Sequence, residues 1–454
     1  MTANLFIKNA TIITMDPSLG TLHNTDMMIS DSLIVRIGAH LDVYEEENSE
    51  IVDASGMIVI PGFIDTHRHV WESLVRNIGA DWSLNTYMQH IYYGGYGSRL
   101  RVEDSYIANY LGAMEAINAG ITTLLDWNMT YSSEHTDEFI RGLQRSGIRA
   151  VYALGASGER EYLDRESRLT SIGDIKRVSE RFFNSKDQLL TLGLAIRGPE
   201  YSHWDTFVEE INIGRDYGAL ISMHLGVGNW GAQQRSITKM FKEGLLAPDI
   251  NIVHGNMMGD DEFKMMADTG ASLSVTPEIE MMMGHGYPVT GKMIEAGGVP
   301  SLGIDVVTST AGDMFGQMRF ALQAERAKVN QEMLEEGGMP DQLKLTAYDV
   351  LNFATIGGAK ALGLDHKVGS LTPGKEADFL LISTKELNMF PIHDPIGAAV
   401  QFANPSNVDS VYIAGKAMKR GGVLINSEMD SLRKKATASA EFILGSRGAS
   451  ISSH

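Results

Sequence analysis

The chain has 454 residues, 43% hydrophobic and 21% charged, which excludes a disordered or fibrous protein and allows a large buried core. Its formal net charge of -19 argues against nucleic-acid partners and anionic membranes. With no cysteine, disulfides and thiolate metal sites are excluded, and any metal must rest on histidine and carboxylate.

The opening residues, Met1-Thr2-Ala3-Asn4-Leu5, lack a basic segment followed by a long apolar one. No apolar run approaches the roughly 18 residues of a membrane span, so a cytoplasmic protein is expected. Residues 5–14 and 32–37 read as short strands, and 50–53 as a third before a turn at Gly56. Strand-like runs then alternate with helical stretches, as in a parallel sheet with crossover helices. Eight such runs stand out: 57–65, 121–126, 149–154, 190–196, 220–224, 250–254, 271–275 and 299–305. Between them, 102–118 and 136–146 show helical spacing, with Thr136 as a cap for the second. Residues 378–382 and 408–416 read as strands again, and 427–444 as a helix capped by Asn426 or Ser427. A small polar tail, 445–450, is expected to fray.

Eight strand–helix units favour a closed barrel over a doubly wound sheet. The expected fold is α/β: a (β/α)8 TIM barrel over residues 61–366. A small flanking β-sandwich domain forms from both chain ends, 1–60 and 367–425, and residues 426–454 form a C-terminal helix and tail.

In such a barrel, catalytic residues stand at the C-terminal ends of strands. The first run ends in Asp65-Thr66-His67-Arg68-His69, the fifth in Met223-His224, the sixth in Val253-His254 and the eighth in Ile304-Asp305. Four of the 13 histidines therefore share one rim with an aspartate. Residues two apart in an extended segment point the same way, so His67 and His69 can reach one ion. Imidazoles and a carboxylate suit a divalent metal such as zinc, which makes a bound water acidic near neutral pH. Taken singly, each residue has a plainer reading. A lone His-x-His is a surface pair, a lone histidine a hydrogen-bonded core residue, and a strand-end aspartate a helix cap.

The segments Gly56-Met57-Ile58-Val59-Ile60-Pro61-Gly62-Phe63-Ile64-Asp65-Thr66-His67-Arg68-His69, Glu115-Ala116-Ile117-Asn118-Ala119-Gly120-Ile121-Thr122-Thr123, Gly303-Ile304-Asp305 and Gly369-Ser370-Leu371-Thr372-Pro373-Gly374-Lys375-Glu376-Ala377-Asp378 carry a resemblance over nearly the whole chain. It resembles the amidohydrolase superfamily, in its cytosine deaminase-like and triazine hydrolase-like branch. The resemblance implies one divalent metal ion, zinc first and iron second, on His67, His69, His224 and Asp305. It implies that His254 orients water or polarises the bond under attack, and that Asp305 is the general base. It also implies a homo-oligomer acting on a small molecule.

Two departures stand out. Deaminases of this branch read His-x-x-Glu on the fifth strand, where the glutamate protonates a ring nitrogen; this chain reads His224-Leu225-Gly226-Val227. Glu280, Glu200 and His285 are substitutes to weigh, each against the reading of a solvated loop side chain. The fourth strand ends in Ile196-Arg197-Gly198-Pro199. There Arg197 would fork onto an anionic substrate group or pair with a structural acid such as Glu200. Trp71, Trp82, Tyr87, Tyr92, Tyr93 and Tyr96 follow the first strand. They would stack on a flat substrate, with Trp71 foremost, or serve loop packing or a subunit contact. Met257, Met258 and Met281-Met282-Met283 point to a less polar substrate or to core filling.

The expected activity is hydrolysis of a non-peptide carbon–nitrogen bond in a cyclic or aromatic compound by metal-activated water. The alternatives are displacement of chloride or a thioether from an activated ring, a lyase or decarboxylase on the same metal, and a binding protein that lost catalysis.

Overall fold

The computed structural model describes residues 5–41, 49–129, 132–155, 172–228, 234–425 and 428–445. The expected cap residues Asn426 and Ser427, the tail beyond Gly445 and the four opening residues lie outside them.

The chain opens with β1 (Leu5–Ile13), β2 (Thr21–Ser30), β3 (Leu33–Gly38), β4 (Glu50–Asp53) and β5 (Met57–Pro61). Then come β6 (Phe63–Arg68), β7 (Ile121–Asn128), β8 (Arg149–Gly155), β9 (Leu190–Ala195), β10 (Leu220–Leu225), β11 (Ile250–His254), β12 (Ser272–Val275) and β13 (Ser301–Leu302). It closes with β14 (Phe379–Ser383), β15 (Val408–Ile413), β16 (Lys416–Arg420) and β17 (Val423–Leu424).

Strands β6 to β13 lie side by side in sequence order as an eight-stranded sheet. The ladders from β8 to β13 are parallel. The sheet curls until its ends meet: His69 N–H donates to the Asp305 carbonyl and Asp305 N–H to the His67 carbonyl, both at 2.9 Å. This is the expected barrel, nearly closed, and the closing seam runs through three of the expected site residues.

The other strands form one sheet of nine from both chain ends, in the order β17-β16-β15-β14-β5-β1-β2-β3, with β4 on β1. Its core packs Ile7, Ile12, Met27, Ile29, Phe379 and Tyr412, with the last two rings stacked at 4.5 Å.

Two local expectations are corrected. The run 57–65 is two strands in different sheets, β5 against β14 and β6 in the barrel. Gly62 separates them, and a Cβ there would lie 2.0 Å from Thr122 Oγ1, so no larger residue fits the crossing. The helix read from Thr136 runs Ser133–Ser146 instead. It is capped by Ser132, whose Oγ accepts from His135 N–H. The second expected helix, Val102–Asn118, has the bounds read from its spacing.

The chain divides into two compact units, one of Met1–Asp65, Ala116–Thr123 and Asp313–Ser427, the other of Thr66–Glu115, Leu124–Gly312 and Glu428–His454. The second holds every expected site residue. Below its rim runs a buried hydroxyl and amide network. Asn251 Nδ2 donates to Ser274 Oγ (3.0 Å), Ser274 Oγ to Thr66 Oγ1 (2.8 Å) and Thr66 Oγ1 to the Leu302 carbonyl (3.0 Å). Polar groups this deep need such partners.

Candidate active site

Alternation along an extended strand decides which way each residue of Thr66-His67-Arg68-His69 points. His67 and His69 face one way, with rings edge-on at 5.0 Å. Arg68 faces the other, where its guanidinium meets Glu115 at 2.6 Å, and Glu115 also binds Arg76 at 2.6 Å.

The four strand ends converge. His67 Nε2 lies 3.3 Å from Asp305 Oδ1, and His69 Nε2 lies 3.6 Å from the same oxygen. His254 Nε2 lies 3.7 Å from Asp305 Oδ2, and His224 Nε2 is 3.2 Å from His67 Nε2. One donor atom each from His67, His224, His254 and Asp305 falls within 4.8 Å of the others. Three imidazoles and a carboxylate turned onto one point form a donor set that fits a divalent cation. His254 and Asp305 have φ of +76° and +68°, in the left-handed region that non-glycine residues rarely adopt. Such backbone persists where surrounding structure holds it, commonly at functional sites.

Burial sets the electrostatics. It holds His69 down to about 3 and pulls His67 and His224 below the usual imidazole range, which favours the neutral form a metal requires. Burial alone would push Asp305 up. The hydrogen bond from His67 and the histidines around it outweigh that and hold the carboxyl well below its usual range. Trp127 of β7 walls the cluster, with its ring 4.5 Å from His224 and 5.3 Å from His69.

Behind His254 stands Glu280, fully buried in the helix Pro277–Met283. Its Oε1 is 3.3 Å from His254 Nδ1 and accepts the Thr276 N–H at 2.8 Å, while Oε2 accepts from Asn256 Nδ2 at 3.0 Å. Glu280 is thus a buried orienting group rather than a solvated loop residue.

The cluster opens into a cavity with about 610 Å³ of atom-free space, open solvent at its mouth included. His69, His224, His254 and Asp305 line it, together with Val227 and His285. The Val227 side chain therefore presents apolar surface where the branch's glutamate would stand. Tyr87 and Tyr92 also line it, both donating to the Glu72 carboxylate, at 2.6 and 3.4 Å. Burial raises Glu72 to about 8 against these hydrogen bonds. Sequence reasoning missed Glu72; its signal was a lone carboxylate inside Val70-Trp71-Glu72-Ser73-Leu74-Val75.

The remaining expectations land elsewhere. Arg197 is buried with its guanidinium 3.4 Å from Glu210, and it is not among the residues lining the cavity. Neither are Glu280 and Trp71; the Trp71 ring packs edge-on against Tyr92 at 6.4 Å. Glu200 accepts the Gly226 N–H at 3.1 Å, and burial raises it to about 7. His285, also weighed as a solvated loop residue, is buried in the cavity wall. Met283 lines the cavity, whereas Met257, Met281 and Met282 are exposed.

Residues 58–418 match the model of the amidohydrolase family. A 5'-deoxyadenosine deaminase of Methanosarcina acetivorans is 25% identical over 97% of this chain and 99% of its own. An adenosine deaminase structure from Xanthomonas campestris with bound zinc superposes with a TM-score of 0.83 at 21% identity, covering 97% of this chain and 98% of that one. An atrazine chlorohydrolase structure from Arthrobacter aurescens, complexed with zinc, gives 0.83 at 19% identity, covering 96% of this chain and all of that one.

Proposed function

This chain belongs to the amidohydrolase family, and on that footing we propose that it hydrolyses a non-peptide carbon–nitrogen bond in a cyclic small molecule. The observation that carries the reading is the convergence of His67, His224, His254 and Asp305 within 4.8 Å of one another, with His224, His254 and Asp305 lining one cavity.

His67, His69, His224 and Asp305 would hold one divalent ion, zinc in the first instance, with His254 at its edge. When bound, such an ion acidifies water and polarises the bond under attack. Asp305, kept ionised by its histidine neighbours, accepts the proton of the attacking water and passes it to the departing nitrogen. His254 faces the same point through Nε2 and stabilises the charge that develops on the substrate. Glu280, 3.3 Å from its Nδ1, fixes the orientation of the ring. The apolar Val227 excludes a proton relay at its own position. Proton delivery therefore falls to Asp305 and His254.

The catalytic domain is read as residues 61–366, working in the cytoplasm as a homo-oligomer. No helix among the described residues is long and apolar enough to cross a membrane.

Replacing Asp305 by Asn tests the mechanism. Turnover of an amino-heterocycle is expected to fall by at least about 10³-fold, with the metal largely retained by elemental analysis. Activity within tenfold of the parent would exclude Asp305 as the base.

One observation favours a second reading. Displacement of chloride from an activated ring needs no protonation of a leaving amine, and Val227 is compatible with that. Assaying ammonia from 5'-deoxyadenosine against chloride from atrazine separates the two.

A further inference from the structure

Apart from the metal cluster, the described lining of the cavity is mostly uncharged. Leu84, Met88, Met129, Val227, Met283 and Val306 supply apolar surface, and the cavity has no lysine or arginine among its described lining residues. Its one carboxylate is Asp305, already engaged by the histidines. The hydroxyls of Tyr87 and Tyr92 are engaged by Glu72. His285 is the exception. The residue is only 3% exposed, and neither Nδ1 nor Nε2 has a hydrogen-bond partner among the described residues.

The backbone is built to put it there. Gly284 ends the helix Pro277–Met283 in the left-handed region. Gly286 follows at φ +139°, where a Cβ would meet Asn256 Cβ at 2.7 Å. The Gly228 N–H then donates to the His285 carbonyl at 2.8 Å and ties the turn to the end of β10. Two glycines and a cross-loop hydrogen bond thus swing an imidazole inward, its ring edge-on to His254 at 4.7 Å. A buried polar atom without a partner destabilises the fold, so the arrangement is most stable with a ligand that supplies one.

We propose that His285 reads the substrate by hydrogen bonding from the cavity wall, and that the lining around it selects an uncharged, apolar arm. An imidazole presents one N–H donor and one ring-nitrogen acceptor. A heterocycle offering a ring nitrogen or an N–H satisfies it from within the cavity, while the methionines adapt to the arm. Away from the histidine–aspartate cluster, a charged substituent finds no counter-charge in the described lining and loses hydration on entry. Arg197, the cation read from the sequence as an anion receptor, is engaged with Glu210 instead. This inference rests on the reading that the cavity holds the compound hydrolysed.

The test is calorimetric titration of the zinc-loaded protein with three product-type ring compounds, each recovered afterwards to confirm that it is unchanged. 5'-Deoxyinosine and hydroxyatrazine are uncharged; inosine 5'-monophosphate repeats the first ring with an anionic arm. At least one uncharged probe is expected to bind at least tenfold tighter than the monophosphate. His285→Phe, which keeps the ring packing but removes both nitrogens, is expected to weaken that probe at least tenfold, with zinc content and melting temperature unchanged. His285→Gln, which restores a donor and an acceptor, is expected to recover binding to within about threefold of the parent. The inference is overturned if neither uncharged probe binds, if the monophosphate binds as tightly, or if His285→Phe leaves binding unchanged. Binding through His285 without release of ammonia from 5'-deoxyadenosine or chloride from atrazine would overturn the hydrolytic reading and leave this one standing. Hydrolysis unaffected by His285→Phe would do the reverse.

Discussion

The two sheets bury their side chains for opposite ends. In the nine-stranded sheet the core is an apolar cluster, with Ile7, Ile12, Met27 and Phe379 fully covered, and the buried Asp26 of β2 is paired with Lys8 at 2.7 Å. At the barrel rim, burial falls on His67, Glu72, Glu280 and Asp305, which lose hydration and regain polar partners only from neighbouring side chains and backbone amides. The first arrangement stabilises the fold at about 25 cal/mol for each Å² of apolar surface removed from water. The second moves the titrations of His67, Glu72 and Asp305 away from their ordinary values and holds His254 and Asp305 in disfavoured backbone. A region that spends stability in this way is a region to search for chemistry.

Substitutions break or sharpen that contrast. The largest effect is the one given above for Asp305→Asn, which should appear in turnover. Next is Phe379→Ala, which removes the ring stacked on Tyr412 from the apolar sheet. It is expected to cost about 3–5 kcal/mol in denaturant unfolding while leaving the folded enzyme's kcat within twofold. A fall in kcat matching that of a rim variant would show that the two regions are not separable.

Glu200→Gln tests the electrostatic cost directly. Burial raises the Glu200 carboxyl from 4.5 to about 7 in the folded chain. Between those values the folded state binds more protons than the unfolded one, so this group's contribution is present below pH 4.5 and is lost as pH rises through 7. The loss is on the order of 3 kcal/mol. Unfolding curves from pH 4.5 to 8 should show the variant gaining on the parent as pH rises. Parallel curves would mean that Glu200 is not desolvated.

The smallest effect is expected for Glu280→Gln, which keeps the shape behind His254 but removes the charge. A drop of about 10–100-fold in kcat with KM within threefold is expected, as for other groups that orient a site's histidines. A change confined to KM would place Glu280 in substrate binding instead.

The sequence carried the strand ends well. Each of His67, His69, His224, His254 and Asp305 follows an apolar strand pattern, and a barrel turns every such end to the same rim. It did not carry side-chain direction in the loops. Glu280 and His285 sit in a Gly- and Met-rich stretch whose polarity matches a solvated loop, and only packing shows both to be buried. Arg197 reads from the sequence as an anion receptor or as the partner of an acid such as Glu200, yet it is Glu210, thirteen residues on in the next helix, that meets it.

Local pattern therefore determined the barrel, the flanking sheet from both ends and the identity of the rim residues. Periodicity and strand-end position are properties of short stretches, and short stretches are legible one at a time. Tertiary structure alone decided the split of the run 57–65 at Gly62, the pairing of Arg197, the placement of Glu72 behind two tyrosines and the inward turn of His285. Each of these depends on a residue distant in the chain, Thr122, Glu210, Tyr87 or Asn256, and no window along the sequence brings those partners together.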